Sequence, residues 1–501
     1  MNKPLLLSLA TAVTIFGTTL TAQSMDEKIQ MMEIQMQKMK QELDALKAKQ
    51  IKENETEKDD DEDSIEDQIA ELQQSITQLN KNTNANHLKF KVDYRFAIEN
   101  IHYTMADGST AKNNAFMTNR LWLNMDWAAT KNLSFHGQLA YNKAFGQRSS
   151  SDTLNYNFEN FDWIANENAY DDIVRVRSVY FLYKNDTFLG SDVPWTFSVG
   201  RRPSTNGHLI NFRDDDPASS PMAHTINVEF DGMSAKFGLE NIVGVDGMYI
   251  KFCAGRGMSN AAHKFTATPY ADDTTVEPNI DLAGLIFVPY SDGQYSVNTQ
   301  YYYANNLIDQ VFDNTGTPQN QFYTVGGLHS FTANFIANGV GDEINDFLDD
   351  TIFFMSAAMS ITDPNADKSM LGAPIGESRK GYSVWIGTQF PSLISEDGRW
   401  GVEYNHGTKY WRSITYGEDT NIGSKVATRG DAYEAYFTEP LIDEILSLQI
   451  RYTYIDYKYA GSNGFFGNTT GAATEISSDM QNAQNYVDKA QDIRFYLRYR
   501  Y

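Results

Sequence analysis

The chain has 501 residues and a formal net charge of -24, from 65 acidic and 41 basic side chains. That balance argues against a nucleic-acid partner, because phosphate binding needs clustered Lys and Arg. The single cysteine, Cys253, excludes an intrachain disulfide, a cysteine-based zinc site and haem attachment. Aromatic residues reach 13%, yet no stretch beyond the first residues is long and apolar enough to cross a bilayer as a helix. High aromatic content without an apolar helix leaves one membrane solution, a closed β-barrel whose strands alternate polar and apolar side chains.

Residues 1–22 read as an export signal. Lys3 supplies a basic start, Leu5–Leu20 an apolar core, and Leu20–Thr21–Ala22 the small residues before a cleavage point ahead of Gln23. Residues 23–86 read as a periplasmic coiled-coil stalk. Ile29, Met32, Met36, Met39, Leu43 and Leu46 follow at spacings of three and four, as do Ile65, Ile69, Leu72, Ile76 and Leu79. Between the runs, Asp59–Asp63 repels itself and interrupts the helix. Asn80–Asn86 is a polar linker.

From residue 87 to 501 the period is two. Leu88, Phe90, Val92, Tyr94, Phe96 and Ile98 alternate with Lys89, Lys91, Asp93, Arg95 and Glu99. Leu121, Leu123, Met125 and Trp127 stand against Arg120, Asn124 and Asp126; Val176, Tyr180 and Leu182 stand against Arg175 and Arg177. Such runs recur to the end of the chain and predict about 16 antiparallel strands in an all-β transmembrane barrel. Short links such as Asp292–Gly293 and Ser395–Gly398 take turns with long polar ones such as Pro203–His224 and Ala460–Ala490, the two-beat rhythm of periplasmic turns and outer loops. The link Asn338–Asp350 breaks that order and suggests a hidden strand.

Ile493, Phe495, Leu497, Tyr499 and Tyr501 place large apolar side chains on one face of the last strand, against Arg494, Tyr496, Arg498 and Arg500. This resembles the closing strand of bacterial outer-membrane barrels, which the barrel assembly machinery reads; there the last residue is usually Phe. The segment from Val199–Pro203 through Asn211–Pro217 is the most distinctive part of a wider resemblance. The chain resembles a family of uncharacterised porin-like outer-membrane proteins of Gram-negative bacteria. In layout it is also similar to sugar- and phosphate-selective porins that bear periplasmic coiled coils. The resemblance implies an outer-membrane porin, a passive channel for small hydrophilic solutes or ions, embedded in outer-membrane lipid and assembled as a homotrimer. A second reading is a structural barrel whose stalk tethers the outer membrane to the cell wall.

Alternation puts Arg95, Arg120, Arg175, Arg177, Arg451, Arg494, Arg498 and Arg500 on the polar, inward face. The long third loop adds Arg213, Asp214, Asp215 and Asp216, and Arg202 precedes it. This resembles general porins, whose third loop sets acids against a wall of arginines. The expectation is a constriction lined by these residues, with arginines standing in water and a weak anion preference. His208, His224, His263 and His329 have no nucleophile motif beside them. No catalytic residue, metal ligand or cofactor is therefore assigned.

Overall fold

The computed structural model describes residues 88–146, 169, 172–202, 205–259, 279–312, 318–341, 344–415, 418–461 and 472–501. The chain divides into two units, residues 1–79 and 80–501, and all described residues belong to the second. The export signal, the stalk and His263 lie outside the described residues.

Sixteen antiparallel strands close into a barrel. They are β1 (Lys89–Met105), β2 (Thr110–Ala128), β3 (Leu133–Ala144), β4 (Arg175–Asn185), β5 (Trp195–Arg202), β6 (Phe230–Gly238), β7 (Tyr249–Met258) and β8 (Ile280–Ser291). The series continues with β9 (Tyr295–Phe312), β10 (Pro318–Asn338), β11 (Ile352–Pro364), β12 (Lys380–Pro391), β13 (Arg399–Gly407), β14 (Gly430–Ile442), β15 (Leu446–Tyr457) and β16 (Val487–Arg500). Each strand pairs with its sequence neighbours, and β16 closes on β1 with Arg498 opposite Arg95. The described part of the irregular link 339–351 holds no strand; it turns through the short helix Asp346–Asp349, capped by the Asn345 side chain on the Leu348 amide.

The outer wall is apolar. Phe90, Leu121, Phe181, Met233, Phe252, Val402, Ile450 and Ile493 leave more than a third of their surface exposed. Near the end of the barrel that carries Tyr501, the rings of Tyr183, Phe188, Trp195 and Phe237 cluster with centroids 5.0–6.4 Å apart. A closed barrel with an apolar outside and aromatic rings near its rim is the solution that lipid requires.

The alternation of polar inside and apolar outside is interrupted in several places, two of which bear on the lumen. In β4 the pairing with β3 shifts between Gln138 and Leu139, so Arg177 and Ser178 are both buried and the faces exchange. Val179 and Phe181 then point outward, while Tyr180 turns inward beneath Arg202 and Leu182 follows it. The expected outward placement of Tyr180 and Leu182 is thereby corrected. In β8 the inward residues Ile280, Leu282, Ile286 and Val288 are buried and apolar. They pack against Ile226, Val228 and Ile414, which come from links between strands. Inside is therefore not uniformly polar: one wall is built to hold folded-in chain.

Candidate functional site

Two of the links that fold inward meet in the lumen. Residues 205–229 join β5 to β6, and residues 408–415 and 418–429 belong to the link between β13 and β14. They meet in a parallel pair, Ile226–Asn227 beside Ile414–Thr415. Leu209, Ile210, Ala223 and Val426 pack on Phe354 and Trp385 of the wall, and Trp411 is fully buried. His224 bridges Ser356 and Ser383 at 2.8 Å on both sides, and burial pushes its imidazole down to about 3. Glycine permits the close approach. A Cβ on Gly381 would lie 2.2 Å from the backbone of Tyr410 and Trp411, and one on Gly207 1.8 Å from the Pro221 carbonyl oxygen.

Against these segments stands a row of like charges. Arg120, Arg95 and Arg498 lie directly opposite one another across β2, β1 and β16, and Arg451 faces Arg494 across β15 and β16. Facing like charges destabilise a sheet. Asp419, from the β13–β14 link, answers them. Its carboxylate accepts from both terminal Arg95 nitrogens, one at 2.6 Å, and lies 3.2 Å from Arg120. Arg494 and Arg451 donate to its backbone carbonyl at 2.6 and 3.2 Å. Burial raises the Asp419 carboxyl, but Arg95, Arg120 and Arg494 outweigh it and hold it well below the usual carboxylate range. Wall carboxylates complete the network: Asp93 with Arg120 and Arg498, Glu99 with Arg494, Glu434 with Lys425 and Arg213.

The β5–β6 link supplies the second half. Its short helix α1 (Ile210–Asp214) presents Arg213, 2.9 Å from Asp214 and within 2.5 Å of the Glu418 carbonyl. Asp216 lies 2.7 Å from Arg498, and Asp215 lies 2.8 Å from Arg500 and 3.5 Å from Arg399. The structure thus brings together Arg95, Arg120, Arg213, Asp214, Asp215, Asp216, Arg451, Arg494, Arg498 and Arg500. Arg177 forms a separate group with Glu229 at 3.1 Å, Gln138 and Thr205. Arg175 lies farther along β4, donating to the Ile173 carbonyl, and Arg202 stacks over Tyr180 at 4.2 Å.

The expectation that the arginine wall stands in water is corrected. Arg95, Arg120, Arg451, Arg494 and Arg498 each keep 5% or less of their side-chain surface and are paired with carboxylates. An anion preference argued from free arginines loses its premise. The open space lies beside them, a cavity of about 1030 Å³. It reaches the barrel end that carries Tyr501, since Asp443, Glu444 and Tyr501 line it, and Asp215, Asp216 and Pro217 also border it. Among the described residues, seven carboxylate side chains and five Lys or Arg side chains line this space, so its balance is acidic.

Sequence reasoning missed Asp419, Glu418 and Lys425 because the β13–β14 link carries no charge run or motif. It placed Asp93 and Glu99 on the inward face but weighed only the arginines beside them. It also passed over His136, which lies 2.7 Å from Asp126 and 2.8 Å from the Ser134 hydroxyl. Ser134 sits inside the ladder opposite Ala128 and Leu182, so nearby backbone donors belong to strand pairing. His329 packs between Tyr301 and Tyr303.

A family model described as "Protein of unknown function (DUF3373)" matches residues 110–501. The chain belongs to that family. No curated protein matches. Among solved structures, the chain is similar to Salmonella typhi OmpF in complex with daunomycin, at 10% identity and a TM-score of 0.45, over 83% of this chain and 98% of that one. It is similar to an anion-selective porin from Comamonas acidovorans at 10% identity and a TM-score of 0.44, over 82% and 100%. The trimer form of OmpT, an outer membrane protein of Vibrio cholerae, gives 11% identity and a TM-score of 0.43, over 82% and 99%.

Proposed function

We propose that the protein is an outer-membrane porin, a passive diffusion channel for small hydrophilic solutes or ions. The observation that carries this reading is a charged cavity of about 1030 Å³ inside a closed barrel whose outer wall is apolar. An apolar outside belongs in lipid, and a charged, open interior belongs in water. The two infolded links narrow the lumen, so the conductance is smaller than that of an open barrel of sixteen strands. The Ser134–His136–Asp126 row orients an imidazole at the wall and performs no chemistry in this reading.

The remaining parts of the proposal concern the N-terminal residues and the last strand. Residues 1–22 direct export and are removed. Residues 23–86 form a periplasmic coiled coil that helps the barrel assemble as a homotrimer and reaches towards the cell wall. The C-terminal strand engages the barrel assembly machinery. Light scattering of the intact protein in mild detergent should give a trimer, and a monomer would count against the stalk's role. Channel activity is tested in planar bilayers: stepwise conductance supports the porin, and a silent barrel that still binds cell wall supports a tether instead.

A further inference from the structure

Every arginine of the β1–β2–β15–β16 row described above has a carboxylate partner, which makes a second group of cations on the opposite strands stand out. Lys236 of β6 and Lys251 of β7 lie directly across from each other in the ladder. Their neighbours Met233 and Phe252 point out to the apolar wall, so both lysines point in. Facing lysines cost stability, and among the described residues no carboxylate pairs with them. The Lys236 ammonium sits over the Tyr249 ring, 3.9 Å from its centroid. The Lys251 ammonium donates to the Ser220 hydroxyl of the infolded β5–β6 link at 2.7 Å. Among the described residues, the charged neighbours of Lys251 are Arg202 and Lys236, both cations, with the Cys253 thiol beside them. Arg202 itself stacks on Tyr180, and one of its terminal nitrogens is buried without a hydrogen-bond partner.

Three cations thus share one stretch of wall, and each is held by a ring or a hydroxyl alone. Ring and hydroxyl partners leave the positive charge uncompensated among the described residues, and a bound anion would compensate it. Lys236, Lys251 and Arg202 are all partly accessible rather than sealed in the wall.

We infer that Arg202, Lys236 and Lys251 form a binding site for a small oxyanion, a phosphate or a carboxylate-bearing solute, on the β5–β7 wall of the lumen. Lysine ammoniums act as point charges on such a group, while Arg202 offers an unpartnered N–H. Ser220 adds a hydroxyl from the infolded link, which ties occupancy to the position of that link.

The test does not depend on conduction. The intact protein in detergent is heated in inorganic phosphate, in succinate and in chloride at matched ionic strength, because a ligand that binds only the folded state raises the melting temperature. Phosphate or succinate should protect the wild type beyond chloride, and which of the two protects more names the source of the oxyanion. Lys236→Gln with Lys251→Gln should raise the half-protecting concentration at least tenfold. The variant relieves the facing charges, so without added oxyanion it should melt no lower than the wild type; Lys236→Gln alone is the second variant if the pair fails to fold. Lys112→Gln, an exposed lysine on β2, should behave as the wild type. The inference falls if neither oxyanion protects the wild type more than chloride, or if protection persists undiminished in the lysine variants.

Discussion

Replacing Asp419 with Asn isolates the contact on which the lumen's architecture turns. The change keeps the shape of the side chain and removes its charge. Asp419 keeps 2% of its side-chain surface, Arg95 5% and Arg120 2%, so little water can replace the lost carboxylate. Three arginines in register across β2, β1 and β16 would then face one another, with Asp93 and Asp216 their remaining direct ion-pair partners among the described residues. Removing one partner of a buried ion pair typically costs about 3–5 kcal/mol, because a buried charge is left uncompensated. Urea unfolding of the refolded barrel, followed by tryptophan fluorescence, should show a loss of that size. Adding Arg120→Met to Asp419→Asn should recover part of it, with a coupling of about 1–3 kcal/mol. The same carboxyl titrates well below 3.8 in the folded protein. Its contribution is present above pH 3.8 and is lost as pH falls through the lower folded value, so the variant should lack that acid-dependent loss. A variant within about 0.5 kcal/mol of the wild type, or strictly additive effects, would refute the reasoning.

Three further outcomes follow from the same structure. His224 is held neutral by burial, at about 3 in place of 6.5; its contribution is complete above pH 6.5 and is lost as pH falls towards 3, so His224→Asn should flatten the stability profile in that window. Gly381→Ala puts a methyl group 2.2 Å from the backbone of Tyr410 and Trp411 and should cost about 1–3 kcal/mol, with faster proteolysis of the β13–β14 link. Asp443→Asn with Glu444→Gln removes two carboxylates from the acidic mouth of the cavity and should move the reversal potential in a salt gradient towards anions, most at low salt. An unchanged reversal potential would mean that ions do not pass this mouth.

The barrel was legible because alternation is a local signal. Leu88 to Ile98 and Ile493 to Tyr501 show it residue by residue, and the number of strands followed from counting such runs. The bulge at Arg177–Ser178 was not legible, since one extra residue in a ladder leaves no mark on composition and yet exchanges the faces of Tyr180 and Leu182. The candidate site was half legible. Arg95, Arg120, Arg494 and Arg498 were placed on the correct face by period alone. What neutralises them could not be read, because Asp419 lies 299 residues from Arg120 and 324 from Arg95 in sequence. The β13–β14 link around it looks like an ordinary polar loop. Lys236 and Lys251 escaped for the same reason: a pair of facing lysines appears only once the register of β6 and β7 is known.

Single-channel recording of the full-length protein in planar bilayers tests the channel reading most directly. The account predicts discrete, stepwise conductance, below that of an unobstructed barrel of sixteen strands because two links occupy the lumen. Protein that is demonstrably folded and inserted but passes no current at any voltage or ionic strength would contradict it.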